Sequence, residues 1–346
     1  MRYAADLDLP LLIKGASYPH DNIASIDAPR FVAAAATDAW LEPGQLVIGV
    51  RHNGVTRAYP HAILGWHEVV NDRFGETAVV VTYCPLCLSS IVFEAPVLDG
   101  QALAFGNAGR LYKADLVMYD RATATLWSQF EGRPIVGPLV GEVPALERIP
   151  ADVVPWGIWR AMHPHTEVLA RPRVGDRLGG RVETREHADG FPRDYAQDPI
   201  AQYRQQNTPL GEAGPFGVVF DDGRLAAKAE VIGVVVGRQA KAYGQLDVLA
   251  QQLLNDTVDG VPLLVVVTPE WGVRFFERVP PGGGAPLSFS LEAGQLVDDA
   301  GNAWDYDGVA QSGPLAGTRL VQHAATPSFW FAWTAFHPDT ELFVKE

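Results

Sequence analysis

One sequence pattern occurs twice in this chain of 346 residues, and the repetition constrains the fold more than any other feature. The two copies share short apolar runs, a tyrosine, an asparagine and a pair of tryptophans, always in the same order. The matching positions, first copy before second, are 47–50 and 231–234, Tyr59 and Tyr243, Asn71 and Asn255, Trp156 and Trp330, and Trp159 and Trp333. Chance is a poor explanation for so many ordered identities, so the sequence predicts an internal duplication with two similar lobes.

The repetition also predicts where the lobes begin and end. Residues 1–44 form an N-terminal extension, residues 45–170 form the first lobe, and residues 229–346 form the second lobe. The polar segment between the lobes, 171–228, is long for a loop in a compact domain. We expect this connecting segment to wrap one lobe or to be partly disordered.

Each copy contains more strand signals than helix signals. β-Branched and apolar runs at 46–51, 78–82 and 91–94 are typical of short buried strands. Apolar residues at near-helical spacing predict a helix over 61–70, and a second helix should stop at His163 because a proline follows it. These patterns predict an α+β, β-rich fold of two pseudo-symmetric lobes, with mostly short strands and a few short helices.

Charge and hydropathy exclude several kinds of partner. The chain has 41 acidic side chains against 27 lysines and arginines, a formal net charge of -14, which excludes nucleic acid and an anionic lipid surface as partners. No stretch reaches the roughly 18 apolar residues of a membrane span, and the first residues lack the pattern of a signal peptide. As written, the chain is expected to be cytoplasmic. An exported or periplasmic protein whose signal was removed would have the same sequence.

The only two cysteines, Cys84 and Cys87, lie in the sequence CPLC. A turn with this spacing brings two sulfurs close enough to share a metal ion or to form a disulfide. His67, at the end of the preceding helix, is the nearest third ligand for a thiophilic ion such as zinc or copper. Glu68 could bind the ion, orient an imidazole or carry protons. We therefore predict a metal site of Cys84, Cys87 and His67, with Glu68 as a catalytic residue.

The second copy lacks these reactive groups. At the offset of 184 that relates the first parts of the copies (231 minus 47), Gln251 replaces His67 and Gln252 replaces Glu68. Residues 269–272 stand in place of the CPLC motif. The tryptophans, which are typical of packing, are kept in both copies. Because a lobe kept for packing alone can lose reactive groups, the difference indicates chemistry in the first lobe.

Asp120 and Arg121 are further candidate catalytic residues. They lie in the segment 112–121, which has no full counterpart in the second copy. They could hold a substrate anion, and a structural ion pair is the alternative interpretation. Met118 in the same segment would suit copper, although a methionine in an apolar run is more typical of a core.

Three functions are compatible with these residues, and the sequence leaves the protein's status as an enzyme open. The first is a metal-binding or metal-dependent redox protein whose partner is a metal ion or an unknown small molecule. The second is a non-enzymatic binding or scaffold module in which the cysteine pair only stabilises a turn. The third is a dithiol oxidoreductase, since Cys-x-x-Cys motifs permit a lowered thiol pKa. The extended sequence after Cys87 differs from the helix expected in a thioredoxin-like protein.

Several motifs resemble those of one protein family. They are WHE at 66–68 with ND at 71–72, YCPLC at 83–87, and LVMYDR at 116–121 with LW at 126–127. With these motifs the chain is similar, over nearly its whole length, to the bacterial and archaeal family called domain of unknown function 3179. The resemblance implies no established activity, and it implies that members often carry export or lipid-anchor signals. Leu88 stands where the family commonly has glycine, and Lys113 stands where asparagine is usual.

Overall fold

The structure is a computed structural model that describes residues 2–14, 20–187, 189–201, 203 and 222–345. Within this part of the chain it has 29 strands, most of them short, and four short helices. The chain divides into two compact units, Met1–Lys228 and Ala229–Glu346. The predicted β-rich class is therefore confirmed, while the origin of the two units by duplication stays a prediction.

The described part of the first unit contains eighteen strands and two α-helices. The strands are β1 Leu12–Lys14, β2 Phe31–Ala33, β3 Leu46–His52, β4 Val55–Pro60, β5 Val69–Phe74, β6 Thr77–Cys84, β7 Ser89–Glu94, β8 Val97–Leu98, β9 Gln101–Ala102, β10 Phe105–Tyr112, β11 Asp115–Asp120, β12 Leu126–Ser128, β13 Arg133–Val136, β14 Arg148–Ile149, β15 Ala151–Pro155, β16 Glu167–Leu169, β17 Arg177–Leu178 and β18 Arg181–Val182. The helices are α1 His61–His67 and α2 Trp156–Met162, and two short 3-10 helices lie at Leu9–Leu11 and Ala34–Thr37.

Three sheets form most of the first unit. Their strand orders are β15-β3-β4-β16-β2, β14-β7-β6-β5 and β1-β10-β11-β12-β13. Strand β16 runs parallel to β4, and the other pairs are antiparallel. Because β1 and β2 precede residue 45, the N-terminal extension supplies an edge strand to two of these sheets.

The described part of the second unit contains eleven strands and two helices. They are β19 Glu230–Val236, β20 Gln239–Gly244, α3 Gln245–Gln251, β21 Leu253–Val258, β22 Val261–Val267, β23 Val273–Glu277, β24 Phe289–Glu292, β25 Gln295–Asp298, β26 Ala303–Trp304, β27 Gln322–His323, β28 Thr326–Phe329, α4 Trp330–Phe336 and β29 Glu341–Leu342. The sheet orders are β28-β19-β20-β29, β21-β22-β23-β27 and β24-β25-β26.

Several side-chain hydrogen bonds occur in both units. In each unit an asparagine bonds the backbone of a phenylalanine, a tyrosine bonds an aspartate, and a tryptophan bonds a threonine. The contacts, first unit before second, are Asn71 to Phe105 and Asn255 to Phe289, Tyr59 to Asp72 and Tyr243 to Asp256, and Trp159 to Thr166 and Trp333 to Thr340. These groups therefore belong to the architecture of the units.

In each unit a tryptophan packs directly on a glycine in an inner strand of one sheet. A Cβ atom on Gly49 in β3 would lie 2.3 Å from Trp159, and one on Gly233 in β19 would lie 2.2 Å from Trp333. Both distances are far below van der Waals contact. Both tryptophans are fully buried, so the two positions have room only for glycine.

The first helix is shorter than the sequence pattern predicted. Helix α1 ends at His67 rather than at residue 70, and Glu68 follows with a left-handed backbone, φ 57°. The next residues form β5, in which Asn71 lies opposite Val80 of β6. Pairing with β6 uses the backbone groups that a longer helix would need, so sheet formation overrides the helical spacing.

Each of the four helices has seven residues, which is about two turns. None of these described helices combines the length and the apolar character that crossing a membrane requires.

The described part of the connecting segment packs on the first unit. The indole N–H of Trp66, in α1, donates to the carbonyl of Gln197 at 3.1 Å. A second contact joins Tyr195 to His67 at the end of α1. Residues 188, 202 and 204–221 of this segment lie outside the described residues, so the expectation of partial disorder in 171–228 stays a prediction.

Candidate functional site

The two cysteines lie on a tight turn between antiparallel strands. Strand β6 ends at Cys84 and β7 begins at Ser89, and the N–H of Cys87 donates to the carbonyl of Cys84 at 3.2 Å. Leu88 completes the turn with φ 58°, a conformation that glycine adopts at lower cost. Both cysteines are free and buried. The local fold therefore holds two thiols side by side inside the protein.

The third donor beside the thiols is Asp115, at the start of β11. Each of Cys84, Cys87 and Asp115 offers one ligand atom, and these three atoms lie within 4.8 Å of one another. Among the described residues, these three form the candidate metal group. The Cys87 thiol also donates to the carbonyl of Ala114 at 3.0 Å. Lys113 and Ala114 both have positive φ in the turn between β10 and β11. This turn, which the sequence did not associate with the cysteines, brings Asp115 to the sulfurs.

His67 lies outside this group of three. Its ring is fully buried, with Nδ1 2.6 Å from the carbonyl oxygen of Ala24 and Nε2 2.8 Å from the hydroxyl of Tyr195. Since a carbonyl only accepts, Nδ1 carries the proton and Nε2 accepts from the tyrosine. Burial lowers the pKa of His67 to about 4, which keeps the imidazole neutral. His67 thus connects α1 to the N-terminal extension and to the connecting segment. The sequence predicted His67 beside the sulfurs, and the structure has Asp115 there.

Glu68 is buried next to the group. Its Oε2 accepts a hydrogen bond from Nδ2 of Asn107 at 2.5 Å, and Asn107 lies at the irregular register between β10 and β11. Burial, and then the charge of Asp115, raises the pKa of Glu68 to about 8. The carboxyl is therefore mostly protonated at neutral pH, and it can exchange a proton near pH 8.

A chain of polar side chains leads from Asp115 into the sheet. Ser89 Oγ lies 2.7 Å from Oδ2 of Asp115 and 3.0 Å from Oε1 of Gln129. Nε2 of Gln129 donates to Thr82 at 2.9 Å, and Thr82 donates to the carbonyl of Ile91 at 2.6 Å. All four side chains are buried. Oδ1 of Asp115 has no partner within normal hydrogen-bond geometry, and the nearby thiols of Cys87 and Cys84 act on this carboxyl as weak donors that favour its ionised form.

Burial favours the protonated forms of the group. It raises the pKa of Asp115 to about 7, against the effect of the hydrogen bond from Ser89, and it raises the pKa of both thiols. The charge of Asp115 adds to the rise at both cysteines, and the charge of Glu68 adds to the rise at Cys84. Acidic groups that raise one another's pKa in a buried place favour a bound cation over a free thiolate.

Asp120 has a structural role in the first unit, and Asp298 has the same role in the second. It accepts hydrogen bonds from the N–H of Thr123 at 2.6 Å and from the indole of Trp127 at 3.0 Å. In the second unit Asp298 accepts from the indole of Trp304 at 2.9 Å. Asp120 is therefore engaged with its own turn, and it is not one of the three grouped donors.

Arg121 pairs with acids of the N-terminal extension. Its guanidinium lies 2.7 Å from Asp21 and 3.3 Å from Asp27, and it donates to the hydroxyl of Ser25 at 2.8 Å. The alternative interpretation of Arg121 as part of a structural ion pair accounts for these contacts.

The connecting segment reaches the cysteine turn through Tyr203. Its hydroxyl donates to the carbonyl of Leu86 at 3.1 Å, and Nζ of Lys228 lies 3.6 Å from the centre of its ring. Burial raises the pKa of Tyr203, and the charges of Cys87 and Cys84 add to the rise. The phenol is therefore close to the sulfurs and covers one side of the turn.

A cavity of about 310 Å³ lies beside α1 in the first unit. Its lining includes Gln45, His61, Tyr195 and Asp198. The ring of His61 stacks on Tyr83, the residue before the first cysteine, with centroids 4.1 Å apart. This ring pair connects the lining of the cavity to the strand that carries the site.

The second unit has a corresponding hairpin without the donors. Asn71 lies opposite Val80 and Asn255 opposite Leu264, so the offset of 184 (255 minus 71) continues along these strands. It puts Thr268, rather than residue 269, at the position of the first cysteine. Strands β24 and β25 have four residues each, against eight in β10 and six in β11. The hairpin that carries the aspartate is therefore also shortened.

These features define a β-rich protein whose first unit holds a buried group of two thiols and a carboxyl. The chain belongs to the family described as protein of unknown function DUF3179, whose family model matches residues 20–340. The resemblance of the motifs is thus confirmed. No curated protein and no solved structure matches the chain.

Proposed function

We propose that the first unit binds a thiophilic metal ion, zinc or copper, through Cys84, Cys87 and Asp115. The proposal rests on one observation. The donor atoms of these three buried residues, two sulfurs and one carboxylate oxygen, lie within 4.8 Å of one another. Thiolate sulfur and carboxylate oxygen are both ligands of zinc, and thiolates select copper(I). Asp115 takes the place of His67 in the ligand set, and the two cysteines are kept from the sequence prediction.

The charge of the site supports a cation. The two thiols, Asp115 and Glu68 are acids. Burial raises their pKa values, and the charge of Asp115 adds to the rise at Glu68 and at both cysteines. Leaving a buried oxygen such as Oδ1 of Asp115 without a partner costs about 1–3 kcal/mol, and a coordinated ion would satisfy it. Because the ligands are thiolate and carboxylate, binding of the ion would release protons and would strengthen as the pH rises.

Three protein ligands leave a fourth position for water or a small molecule, as in catalytic zinc sites. Glu68, whose pKa is about 8, lies beside the group and can carry the proton of a molecule bound there. We therefore infer metal-dependent chemistry on a small molecule, with Glu68 as the proton carrier. Asp120 and Arg121 would act only through the structure around the site.

Metal analysis tests the proposal. Protein purified without added metal, and the same protein after incubation with Zn²⁺ and removal of excess ion, should hold about one equivalent of metal. Changing both Cys84 and Cys87 to serine, or Asp115→Asn, should remove it, while Asp99→Asn at an exposed position should not. Less than about a tenth of an equivalent in both preparations, or full occupancy in the double serine variant, would contradict the proposal.

A dithiol oxidoreductase is the second candidate, because both cysteines are free and their sulfurs are within 4.8 Å. Burial raises the pKa of both thiols, and this weighs against attack by a thiolate. Alkylation rates measured against pH separate the two candidates. A thiol pKa well below about 8.5 in the metal-free protein would favour the dithiol.

A non-enzymatic module is the third candidate. It predicts that the double serine variant melts at a lower temperature and still binds every ligand of the wild-type protein. Loss of metal binding in that variant, with the fold retained in circular dichroism, would exclude it.

We also infer that the two units arose by duplication of one lobe. The hydrogen bonds common to both units, such as those of Asn71 and Asn255, support this inference. The second unit would then have kept the architecture after losing the donors.

A further inference from the structure

A fully buried polar chain stands behind Asp115. Ser89, Gln129 and Thr82 each have an exposed fraction of 0%. Polar groups in the interior cost free energy unless they are hydrogen-bonded. Apolar side chains could fill the same volume without this requirement, so packing alone does not explain these three polar side chains.

The carbonyl at the end of this row of hydrogen bonds determines which group donates in each bond. The carbonyl of Ile91 can only accept, so the hydroxyl of Thr82 donates to it at 2.6 Å. Thr82 then accepts from the amide nitrogen of Gln129, and this orients Oε1 of Gln129 toward Ser89 at 3.0 Å. The backbone of the sheet thereby fixes the orientation of the amide. Ser89 has one hydroxyl proton and lies between two acceptors, so it donates to Oδ2 of Asp115 when that carboxyl is ionised, as a metal ligand is.

Ser89 occupies one oxygen of Asp115 and leaves the other. It lies 2.7 Å from Oδ2, while Oδ1 has no hydrogen-bond partner. The sulfurs of Cys84 and Cys87 lie within 4.8 Å of a carboxylate oxygen of the same residue. A carboxylate held through one oxygen presents the other to an ion, which is how outer hydrogen bonds orient metal ligands.

The second unit forms its hairpin without this chain. Thr82 lies opposite Val69, and at the corresponding pair Val266 lies opposite Leu253. Thr268 corresponds to Cys84, and its N–H donates to the carbonyl of Gly272. Gly272 therefore corresponds to Ser89, which lies opposite Cys84 in the first unit. A hairpin of this kind therefore forms without either hydroxyl.

We propose that Ser89 and Gln129 are positioning residues of the metal site, which hold Asp115 with Oδ1 toward the two sulfurs. The inference rests on the proposed metal binding. Ser89 acts through Asp115, and Gln129 acts through Ser89. Neither side chain touches the ion.

A titration with Co²⁺, whose visible spectrum reports ligand number and geometry, tests the role of Ser89. Ser89→Ala should weaken Co²⁺ binding by about 10- to 100-fold, and should change the spectrum of the saturated site. Ser128→Ala is the matched control, because Ser128 is also buried and its hydroxyl accepts from the N–H of Glu131 at 3.3 Å. The control should bind Co²⁺ as the wild type does.

A double-mutant cycle tests whether Gln129 acts through Ser89. Gln129→Met should weaken Co²⁺ binding in the wild-type chain and should cause no further loss in the Ser89→Ala chain. Circular dichroism and melting of the metal-free variants confirm that each is folded. Ser89→Gly, the residue found in the second unit, replaces the alanine variant if that variant does not fold.

Two results overturn the inference: equal affinity of the wild type and Ser89→Ala, or equal losses from Gln129→Met in both backgrounds. The variant with both Cys84 and Cys87 changed to serine separates this failure from that of the proposed function. If that variant no longer binds Co²⁺, the metal site stands and only the positioning role fails. If it binds Co²⁺ as the wild type does, the proposed function fails as well.

Discussion

Replacing Glu68 by glutamine should stabilise the metal-free protein at neutral pH. The pKa of this buried carboxyl is raised from its ordinary value of 4.5 to about 8. Below pH 4.5 the folded and unfolded chains both hold the proton, so the stability is fully present. Between pH 4.5 and 8 the unfolded chain releases the proton while the folded chain keeps it, so stability falls as the pH rises. Glutamine does not ionise and has no such loss.

The size of the effect follows from the pKa difference. At pH 7, which is 2.5 units above 4.5 (7 minus 4.5), the wild type loses roughly 3 to 3.5 kcal/mol, at about 1.4 kcal/mol for each unit. Glutamine fits the backbone there, because Gln252 has the corresponding left-handed conformation after α3, φ 63°. Its amide oxygen can also accept from Asn107, as Glu68 does.

Urea unfolding in the presence of a chelator, followed by tryptophan fluorescence, measures this difference. The variant and the wild type should be equally stable at pH 4.5, and the variant should be more stable by about 3 kcal/mol at pH 7. Gln252→Glu is the control, since this position is exposed in the second unit, and it should change stability little. A difference between Glu68→Gln and wild type that does not grow with pH would refute the reasoning.

Three further predictions concern stability and metal exchange. Burial lowers the pKa of His67 from 6.5 to about 4. As the pH falls between these values, the unfolded chain takes up the proton first, so the free energy of unfolding should fall by up to about 3 kcal/mol. Acid titration of the unfolding free energy checks this, and His67→Gln should flatten the profile. Gly49→Ala should destabilise the protein by about 1–3 kcal/mol in urea unfolding, because its Cβ would meet Trp159. Gly44→Ala, with no atom within 4 Å, should cost less than about 0.5 kcal/mol. Tyr203→Phe removes one hydrogen bond to the cysteine turn, and it should speed release of bound Zn²⁺ to a chelator about fivefold in stopped-flow measurements; an unchanged rate would argue against the covering role.

Local chemistry was enough to predict the cysteine turn and its strands. Cys84 and Cys87 are three residues apart, and β-branched runs lie on both sides of them. Strand signals of this kind operate over a few residues. The sequence also placed Glu68, directly before β5, among the candidate residues, and the structure buries it near Asp115; its role as a proton carrier stays a prediction. The β-rich class rests on the same short-range patterns, and it is confirmed.

Long-range pairing was not predictable in the same way. Asp115 comes 28 residues after Cys87 (115 minus 87) and reaches it only through the turn between β10 and β11. Which residues meet across such a distance depends on strand register. One sequence signal did exist, because Asp115 lies in the segment 112–121 that the second lobe lacks in part. That signal was assigned to Asp120 and Arg121, whose charged groups are engaged in structural contacts.

The two hydrogen bonds of His67 bear on how the chain is synthesised. They join Ala24, 43 residues before the imidazole, to Tyr195, 128 residues after it. A chain that grows from its N-terminus cannot complete this junction until Tyr195 has left the ribosome, long after the two thiols have emerged. If the proposed metal site binds an ion, we expect the nascent protein to take it up most readily in that interval. Metal added during refolding should therefore be incorporated faster than metal added to the finished protein.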